Sequence, residues 1–389
     1  MTKIFYRCKK CLFPNTKPDL FFDKDGICQA CKYVDYYRKI DWNARREKFD
    51  KLIEVIKKKQ GKSNYDCIIS VSGGKDSTYQ TYLITKIAKL KPLLVCFEPS
   101  YPTEVGKKNL DNLVKTFNCD LIYLKKSPVY KKLSKIGLEV VGDHEWPNHV
   151  GIYCWPVQVA NNFNIEINFY GEERGLIGLG RPESFYGEGV EVINRDYIEQ
   201  YVGMNGYRLT DIMQYDKTIK EKDVLPYMYP TNIKSNIKSY CLGHFFQWDY
   251  KSNLETIKKF GWQSRDKPTE GTFTNFEDID CGFMPYHQYF KFIKYGYGRA
   301  TDHVGHEIRN DRMKREQGKE LILEYDGKLP REYFTEFLEF LNIAKDQFYN
   351  YVDKFANPKL FKNDGEKFYR SNDHNLIPTQ QYYDSLKDS

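Results

Sequence analysis

A strand, a glycine-rich loop and a helix follow one another near residue 70, and this order constrains the fold more than any other feature. The apolar run within 66–71 predicts a buried strand, the loop is Ser72-Gly73-Gly74-Lys75-Asp76-Ser77-Thr78, and a helical pattern follows. Backbone N–H groups at a helix N-terminus point outward, and the helix dipole favours negative charge there. The loop hydroxyls and Lys75 add donors and a cation, so the segment predicts a phosphate-binding site.

This loop is not a Walker phosphate loop, in which four residues separate the first Gly from a Gly-Lys-Ser/Thr triplet. Here Asp76 follows Lys75. An acidic residue would repel phosphates unless a cation lies between them, so Asp76 is a candidate ligand of Mg²⁺. Two alternatives remain, an ordinary tight turn and an Asp76 that caps the following helix.

Strands alternate with helices over the central part of the chain. Apolar runs predict strands at 66–71, 93–97, 121–124 and 165–170, and apolar stripes predict helices at 77–90 and 104–117. This order is typical of a parallel sheet joined by helical crossovers. Ligands bind such sheets at the carboxyl ends of the strands. Phe97 and the Gly171-Glu172 pair end two of the strands, so we expect both to face the loop.

Two features of this central segment have more than one interpretation. Glu172 could hold Mg²⁺, bind a ribose hydroxyl or face solvent. The stretch Gly142–Val157 has a loop-like composition, and its His144 and His149 are candidate substrate or metal contacts. A histidine in a loop is more often neither.

Four of the ten cysteines form two C-x2-C pairs near the N-terminus: Cys8, Cys11, Cys28 and Cys31. Two such pairs can converge on one tetrahedral Zn²⁺, and four protein ligands make a closed, structural site. A module of this size buries too little apolar surface to fold alone, so metal binding would supply its folding free energy. An iron–sulfur cluster is the alternative. The other six cysteines have no paired spacing. Three of them, Cys67, Cys96 and Cys119, lie in or beside apolar runs, which predicts small buried side chains.

The chain beyond about Pro230 has a mainly helical pattern. Two glycines separated by an aromatic residue precede Arg299, and we expect Arg299 and Lys294 to reach the phosphate loop or an acidic substrate. Arg309 to Arg315 is interpreted as a solvated helix face. The His303-x2-His306-Glu307 string matches no established zinc motif, which makes it a weak metal candidate.

Length and charge narrow the functional class. A chain of 389 residues allows two or three domains, and we place them at 1–45, 60–235 and 236–389. The net charge of +7 does not by itself indicate a nucleic-acid partner. No apolar run approaches the ~18 residues that span a bilayer. The N-terminus lacks a signal-peptide core, so a cytoplasmic location is expected.

Taken together, these motifs resemble known proteins. The S-G-G-x-D-S loop is similar to that of the PP-loop ATP pyrophosphatases, which split ATP into AMP and pyrophosphate. Over roughly residues 6–325 the chain resembles the N-acetyl sugar amidotransferases, the family of the LPS biosynthesis protein WbpG and the pseudaminic acid biosynthesis protein PseA. The distinctive strings are Cys8–Pro18, Gly26-Ile27-Cys28-x2-Cys31 and Gly298-Arg299-Ala300-Thr301. One departure is Glu173, where many PP-loop enzymes have Asn.

The resemblance implies a fold and a reaction. The fold would be an α/β PP-loop domain of the adenine nucleotide alpha hydrolase-like (HUP) type, with an N-terminal zinc ribbon and a mainly helical C-terminal region. The reaction would turn the acetamido group of a nucleotide-linked sugar into an acetamidino group, with ATP and Mg²⁺. Catalytic roles would fall to Lys75, Asp76 and Arg299. The residues implied for ATP are Ser72, Gly73, Gly74, Ser77, Thr78, Phe97, Gly171, Glu172 and Lys294.

The nitrogen source is a separate question. Glutaminases with an N-terminal nucleophile need Cys at position 2, and this chain has Thr2. We therefore expect a separate glutaminase subunit, with or without a cyclase-like channel subunit. Two other functions stay open: a PP-loop tRNA thiolase, which also combines cysteine pairs with this loop, and a nucleotide sensor without catalysis.

Overall fold

The computed structural model describes residues 5–59, 64–177, 195, 198, 209–232 and 237–387. At its centre lies a five-stranded sheet in the order β3-β2-β1-β4-β5, and every neighbouring pair is parallel. The strands are β1 (Cys67–Ser70), β2 (Pro92–Phe97), β3 (Asp120–Leu124), β4 (Ile167–Tyr170) and β5 (Lys238–Cys241). The predicted parallel α/β fold is confirmed.

The strand order reverses at β1. The chain runs from β1 to β2 and β3 on one side, and then crosses to β4 and β5 on the other. In open α/β sheets this reversal opens a crevice at the carboxyl ends of the two strands concerned, here β1 and β4. The glycine-rich loop follows β1, so the topology places it at the crevice.

Helices cover both faces of the sheet and form most of the C-terminal region. In the described residues they are α1 (Gln29–Tyr37), α2 (Trp42–Lys58), α3 (Lys75–Tyr82), α4 (Glu104–Phe117), α5 (Val129–Val141), α6 (Trp146–Phe163), α7 (Arg174–Ile177), α8 (Leu209–Tyr215), α9 (Glu221–Val224), α10 (Tyr250–Lys258), α11 (Met284–Tyr295), α12 (Arg299–Arg309), α13 (Arg315–Tyr325), α14 (Phe334–Leu341), α15 (Lys345–Phe355) and α16 (Gln380–Asp384). None of them combines the length and hydropathy that crossing a lipid bilayer requires.

Helix α4 shows why the local predictions succeed. Its N-cap Thr103 accepts a hydrogen bond from the N–H of Gly106, and Asn118 ends it in the left-handed conformation. Leu110, Leu113 and Phe117 are buried along one face. Caps at both ends and one apolar stripe are local signals, and the observed bounds equal the predicted ones.

One loop prediction and one helix prediction are wrong in part. The stretch Gly142–Val157, predicted as a loop, is largely helical, because α6 begins at Trp146 and continues to Phe163. This helix is buried on most sides and contains Pro156, so it lacks both the amphipathic period and the composition of a surface helix. The helix predicted at 77–90 begins at Lys75, and its α-helical part ends at Tyr82, where a π-helical turn follows.

The C-terminal helices pack around an aromatic core. The rings of Tyr286 and Phe337 stack with centroids 4.1 Å apart, and Phe283, Phe290 and Phe348 surround them. Aromatic side chains bury large apolar areas, so this core anchors α11, α14 and α15 to one another. It also holds the segment that precedes α11, 277–283, against the N-terminus of α4, where the N–H of Thr103 donates to the carbonyl of Asp280 at 3.2 Å.

Candidate phosphate-binding site and cysteine cluster

The glycine-rich loop is a tight turn in which Gly73 has no substitute. Its φ is +90°, and a Cβ there would lie 2.4 Å from the carbonyl oxygen of Gly106. The indole N–H of Trp262 donates to the carbonyl of Gly73 at 3.0 Å. The loop is therefore fixed by α4 and by the C-terminal region as well as by its own sequence.

The loop hydroxyls bond to the loop backbone. Oγ of Ser77 and Oγ1 of Thr78 each donate to the carbonyl of Gly74 at 3.0 Å, and the N–H of Gly74 donates to Oγ of Ser72 at 3.3 Å. Gly74 is the N-cap of α3 and has an extended conformation. Helix α3 thus begins at a turn held by hydrogen bonds, and N–H groups at such a helix N-terminus can bind an anion.

A cavity opens beside this loop at the crevice between β1 and β4. Val95 and Phe97 from β2 and Ile152, Tyr153 and Pro156 from α6 form its apolar wall. Its polar wall consists of Ser70, Ser72, Asp76, Ser77, Gln80, Gly171 and Glu172. The structure therefore brings Phe97, the loop and the Gly171-Glu172 pair together as the sequence predicts.

Gly171 and Glu172 close the cavity on the β4 side. A Cβ at Gly171 would lie 2.9 Å from the carbonyl oxygen of Asp76, so a larger residue would displace the loop. The hydroxyl of Tyr153 donates to Oε1 of Glu172 at 2.7 Å, which orients the carboxylate along the cavity wall.

Asp76 has one carboxylate oxygen without a partner. Its Oδ2 lies 2.5 Å from Nζ of Lys75, whereas Oδ1 is buried and makes no hydrogen bond within the described residues. Buried polar atoms are rarely left unsatisfied in folded proteins. Carboxylate oxygens are the ligands that Mg²⁺ prefers, and Glu172 lines the same cavity. The residues present fit a Mg²⁺ ion.

Lys75 lies in a buried charge network that joins the loop to the C-terminal region. Its Nζ is 2.7 Å from Oε1 of Glu277, and Nη2 of Arg299 is 2.5 Å from Oε2 of the same carboxylate. Burial lowers the pKa of a lysine, but Asp76 and Glu277 outweigh burial and raise the pKa of Lys75 above its usual value. Burial raises the pKa of a carboxyl group, but Lys75 and Arg299 outweigh burial at Glu277 and hold its pKa below the usual range. Lys75, Glu277 and Arg299 are therefore all charged at neutral pH.

Sequence reasoning missed Glu277, Asp280 and Trp262. Burial raises the pKa of Asp280 to about 6, against the opposing effect of a hydrogen bond with Ser72. The carboxylate-rich string Glu277-Asp278-Ile279-Asp280 was a usable signal. Nothing local, however, indicates that it packs against a loop so distant in the sequence.

Lys294 lies apart from the loop network. Its Nζ donates to the carbonyl oxygen of Val141 at 3.1 Å, close to Asp143. Of the two cations predicted to reach the loop, the structure brings Arg299 to it through Glu277. It places Lys294 at the turn between α5 and α6.

The four N-terminal cysteines form a buried cluster. The Sγ–Sγ distances are 3.8 Å for Cys8–Cys31, 3.4 Å for Cys11–Cys28 and 3.7 Å for Cys28–Cys31. All four sulfurs lie within 4.8 Å of one another. A tetrahedral ion with metal–sulfur bonds of ~2.3 Å places its sulfurs about 3.8 Å apart. The cluster fits a structural zinc ion and agrees with a zinc-ribbon module.

The prediction of a solvated helix face from Arg309 to Arg315 is wrong at Arg309, which is buried. Its side chain is 1% exposed, its guanidinium lies 4.6 Å from the centroid of the Phe13 ring, and Nη2 donates to the carbonyl of Leu176 at 2.9 Å. Burial lowers the pKa of Arg309, but the nearby cysteines, Cys11 first among them, outweigh burial and raise it above its usual value. A buried arginine beside a cysteine cluster cannot be recognised from the charge pattern of its own helix.

Glu173 links the cysteine module to the segment that follows β4. Its Oε1 accepts hydrogen bonds from the hydroxyl of Tyr33 at 3.0 Å and from the N–H of Gly175 at 3.1 Å. Tyr33 lies two residues after Cys31, and Glu173 follows the cavity residue Glu172. The residue that departs from the family pattern therefore has a structural contact.

One family model matches the chain over residues 270–373, and it is described as the C-terminal domain of LPS biosynthesis protein WbpG-like proteins. This part of the chain is similar to the C-terminal domain of WbpG-like proteins, which confirms the resemblance predicted from the sequence. The matched segment contains Glu277, Asp280 and Arg299.

Individual proteins give weaker likenesses. Uncharacterized protein MJ1599 of Methanocaldococcus jannaschii is 29% identical over 125 residues, or 31% of this chain and 43% of that protein. The chain thus spans less than half of that relative.

Among solved structures, the NH3-dependent NAD synthetase from Campylobacter jejuni is 12% identical, with a TM-score of 0.29 over 59% of this chain and 100% of that one. The U34-tRNA thiolase NcsA from Methanococcus maripaludis, with its 4Fe-4S cluster, is 12% identical, with a TM-score of 0.29 over 86% of this chain and 93% of that one. We draw no functional conclusion from likeness at this level.

Proposed function

We propose that this chain is an ATP-dependent N-acetyl sugar amidotransferase that forms AMP and pyrophosphate. It would act on a nucleotide-linked N-acetyl sugar in the biosynthesis of a surface polysaccharide (O-antigen) or of a nonulosonic acid such as pseudaminic or legionaminic acid. The observation that carries the proposal is the contact between the two parts of the site. A WbpG-like domain supplies Glu277 and Arg299 to the surroundings of Lys75 in an S-G-G-K-D-S loop.

The chemistry explains why such an enzyme needs ATP. An amide carbonyl is a poor electrophile, and its oxygen is a poor leaving group. Attack of the amide oxygen on the α-phosphorus of ATP forms an O-adenylyl imidate and releases pyrophosphate. Ammonia then adds to the imidate carbon, AMP leaves with the former amide oxygen, and loss of a proton gives the amidine.

The loop would act by electrostatic stabilisation of the pyrophosphate, on which negative charge develops. The N–H group of Gly73 would face the phosphates at the N-terminus of α3, and that of Gly74 would do so once phosphate replaces Oγ of Ser72 as its acceptor. Ser77 and Thr78 hold the turn through the carbonyl of Gly74. Lys75 and Arg299 would supply positive charge once phosphate competes with Glu277 for them.

Other cavity residues would position the nucleotide. Phe97 offers an apolar surface, and Gly171 allows close approach of the β4 end to the loop. Asp76, with Glu172, would hold Mg²⁺, which neutralises phosphate charge when it is bound. Lys294 stays a candidate for an acidic part of the sugar nucleotide, at a distance from the loop.

The cysteine cluster would bind Zn²⁺ as a structural ion. Four protein ligands leave no open position for catalysis, and the contact from Tyr33 to Glu173 connects this module to the cavity edge. We place the enzyme in the cytoplasm, with the domain limits predicted from the sequence.

Ammonia would come from a separate glutaminase subunit, with or without a cyclase-like channel subunit. The chain has no Cys at position 2 that could serve as an N-terminal glutaminase nucleophile. If the purified chain alone made amidine from glutamine as fast as from ammonia, the partner proposal would fail.

The function is tested by mass spectrometry of UDP- and CMP-linked acetamido sugars incubated with the chain, ATP, Mg²⁺ and ammonium. Exchange of oxygen for NH lowers the product mass by about one unit, whereas thiolation raises it by about 16 units. The Gly73→Ala variant, whose added Cβ would meet the carbonyl oxygen of Gly106, serves as the inactive control. AMP formation that depends on a tRNA, and that the Cys154→Ser variant loses, would instead support the thiolase. ATP binding without AMP release on any acceptor would support a sensor.

A further inference from the structure

Three metal-ligand side chains meet outside the nucleotide cavity: Asp143, His149 and His287. Each offers a ligand atom within 4.8 Å of the other two. Nδ1 of His287 lies 2.8 Å from Oδ1 of Asp143, and the two imidazole rings stand edge to face with centroids 5.0 Å apart. This cluster is separate from the four cysteines and from Asp76.

The fold holds the three residues in place through three different elements. Asp143 follows the end of α5, whereas His149 and His287 are each the fourth residue of a helix whose second residue is proline, in α6 and α11. Pro is favoured in the first turn of a helix because its missing N–H would have no partner there. Both histidines therefore lie on well-defined first turns.

The turn that presents Asp143 is fixed by packing. Oδ1 of Asp143 also accepts a hydrogen bond from the N–H of Glu145 at 2.9 Å. The preceding Gly142 has a φ of +65°, and a Cβ there would lie 2.8 Å from the ring of Phe355. The carboxylate is thus oriented before any ligand binds, which is a property of built binding sites.

We propose that Asp143, His149 and His287 bind a divalent transition-metal ion of the Zn²⁺, Fe²⁺ or Mn²⁺ class. Two imidazoles and one carboxylate are a ligand set that these ions accept. Bonds of ~2.0–2.1 Å place adjacent ligand atoms about 3.0–3.4 Å apart. The Asp143–His287 separation of 2.8 Å lies near this range, and all three ligand atoms lie within 4.8 Å of one another. Three protein ligands leave at least one position open for an oxygen of water or substrate.

The position of the site relates it to the cavity. His149, Ile152, Tyr153 and Pro156 share one face of α6 at helical spacing, and the last three line the nucleotide cavity. The proposed ion would therefore lie about one helical turn, ~5.4 Å along the axis, from that wall. The side chains of Asp143 and His287 are each 20% exposed, so a ligand from solvent can reach them. The class of ligand is an oxygen donor bound next to the nucleotide.

One nearby cation bears on this assignment. Lys294 lies on α11 two turns after His287, but its Nζ donates to the carbonyl of Val141 instead of to Asp143. An Asp143–His287 pair that is only a hydrogen bond would bind no ion, and this is the interpretation to test against.

The test uses the chain loaded with one equivalent of Zn²⁺, which the four thiolates take up first, then freed of unbound metal and titrated with Co²⁺. Thiolates select zinc, whereas the imidazole and carboxylate site accepts Co²⁺. We expect one zinc and one cobalt per chain by elemental analysis after gel filtration, with a visible cobalt spectrum that lacks thiolate charge-transfer bands. The double variant His149→Ala/His287→Ala should bind cobalt at least about 100-fold more weakly and retain its zinc.

The matched control is His374→Asn, which removes an exposed histidine at a left-handed position that Asn tolerates. It should bind cobalt as the wild type does. Wild-type protein that takes up no second ion would overturn the proposal, and so would equal uptake by the folded double variant. If that variant fails to fold, Asp143→Asn replaces it, and the wild-type titration alone still decides whether a second site exists.

Discussion

Oε1 of Glu277 lies 2.7 Å from Nζ of Lys75, so a carboxylate of the WbpG-like domain holds the cation of the glycine-rich loop. The same carboxylate pairs with Arg299. One acidic side chain therefore keeps two cations beside the cavity in a buried, charged state. The chemistry of the loop depends on a domain that follows it far along the chain.

Replacing Glu277 with Gln should destabilise the protein strongly. Removing one member of a buried ion pair leaves uncompensated charge, and we expect the free energy of unfolding to fall by roughly 3 kcal/mol. The matched control is Glu332→Gln, since Glu332 forms a more exposed pair with Arg265; its cost should stay below about 1 kcal/mol. Denaturant unfolding of both variants measures the difference, and equal costs would contradict a buried role for Glu277.

Gly73→Ala should abolish nucleotide binding, whereas Gly271→Ala should not. Both glycines have positive φ, so both substitutions carry backbone strain of about 1 kcal/mol. Only the Cβ at Gly73 meets backbone, 2.4 Å from the carbonyl oxygen of Gly106, whereas nothing lies within 4 Å of one at Gly271. Calorimetric titration with ATP compares them, and retained ATP affinity in Gly73→Ala would show that the turn can adjust.

Asp76→Asn should raise the Mg²⁺ concentration needed for half-maximal pyrophosphate release by at least about tenfold. The reason is the loss of charge at a carboxylate whose Oδ1 has no partner among the described residues. Asp111→Asn, an exposed change on α4, is the control. An unchanged Mg²⁺ dependence in Asp76→Asn would assign this residue to helix capping.

The stability of the protein should depend on pH through Asp280. Its pKa in the folded protein is raised to about 6 by burial, above an unfolded value of about 3.8. A carboxyl with a raised pKa stabilises the folded state below the unfolded pKa, and this contribution is lost as the pH rises through about 6. The loss amounts to at most about 3 kcal/mol.

Asp280→Asn removes this titration. Relative to wild type, the variant should gain stability between pH 4 and pH 7, whereas the exposed Asp346→Asn should show no such trend. Denaturant unfolding at several pH values tests this, and parallel curves for wild type and Asp280→Asn would refute the assignment.

Cys28→Ser should release about one zinc ion per chain and unfold the N-terminal module. The three remaining thiolates no longer close a tetrahedral site, and the folding free energy of such modules comes from the metal. Cys119→Ser, a half-buried cysteine outside the cluster, should keep its zinc. Elemental analysis with thermal unfolding measures both effects, and full zinc content in Cys28→Ser would argue against a zinc role for Cys28.

The parts of the fold that sequence predicted are those with local signals. The four strands, helix α4, the glycine loop and the cysteine spacing each depend on residues close together in the chain. Helix α6 escaped prediction because burial on most sides removes the amphipathic period, and Pro156 suggests a break. Strand β5 has the sequence Lys-Ser-Tyr-Cys, so it lacks the apolar run that identified the other four strands.

The residues of the candidate site also fall into those predictable from local sequence and those that depend on long-range contacts. Ser72, Asp76, Phe97 and Glu172 were predicted because the ends of parallel strands meet at one edge of a sheet. Long-range contacts were not predictable. Trp262 and Gly73 are 189 residues apart in the sequence. Burial of Arg309 likewise arises from packing against a module at the opposite end of the chain.

The contacts of the loop with Trp262, Glu277 and Arg299 also set the order in which a ribosome can complete the site. A nascent chain that ends before residue 262 already contains the sheet, the loop and Glu172, but its loop lacks the indole that holds Gly73 and the carboxylate that pairs with Lys75. The complete set of contacts around the loop therefore forms only after Arg299 has been synthesised. A partly synthesised chain exposes the loop before the contacts that fix Gly73 and Lys75 exist.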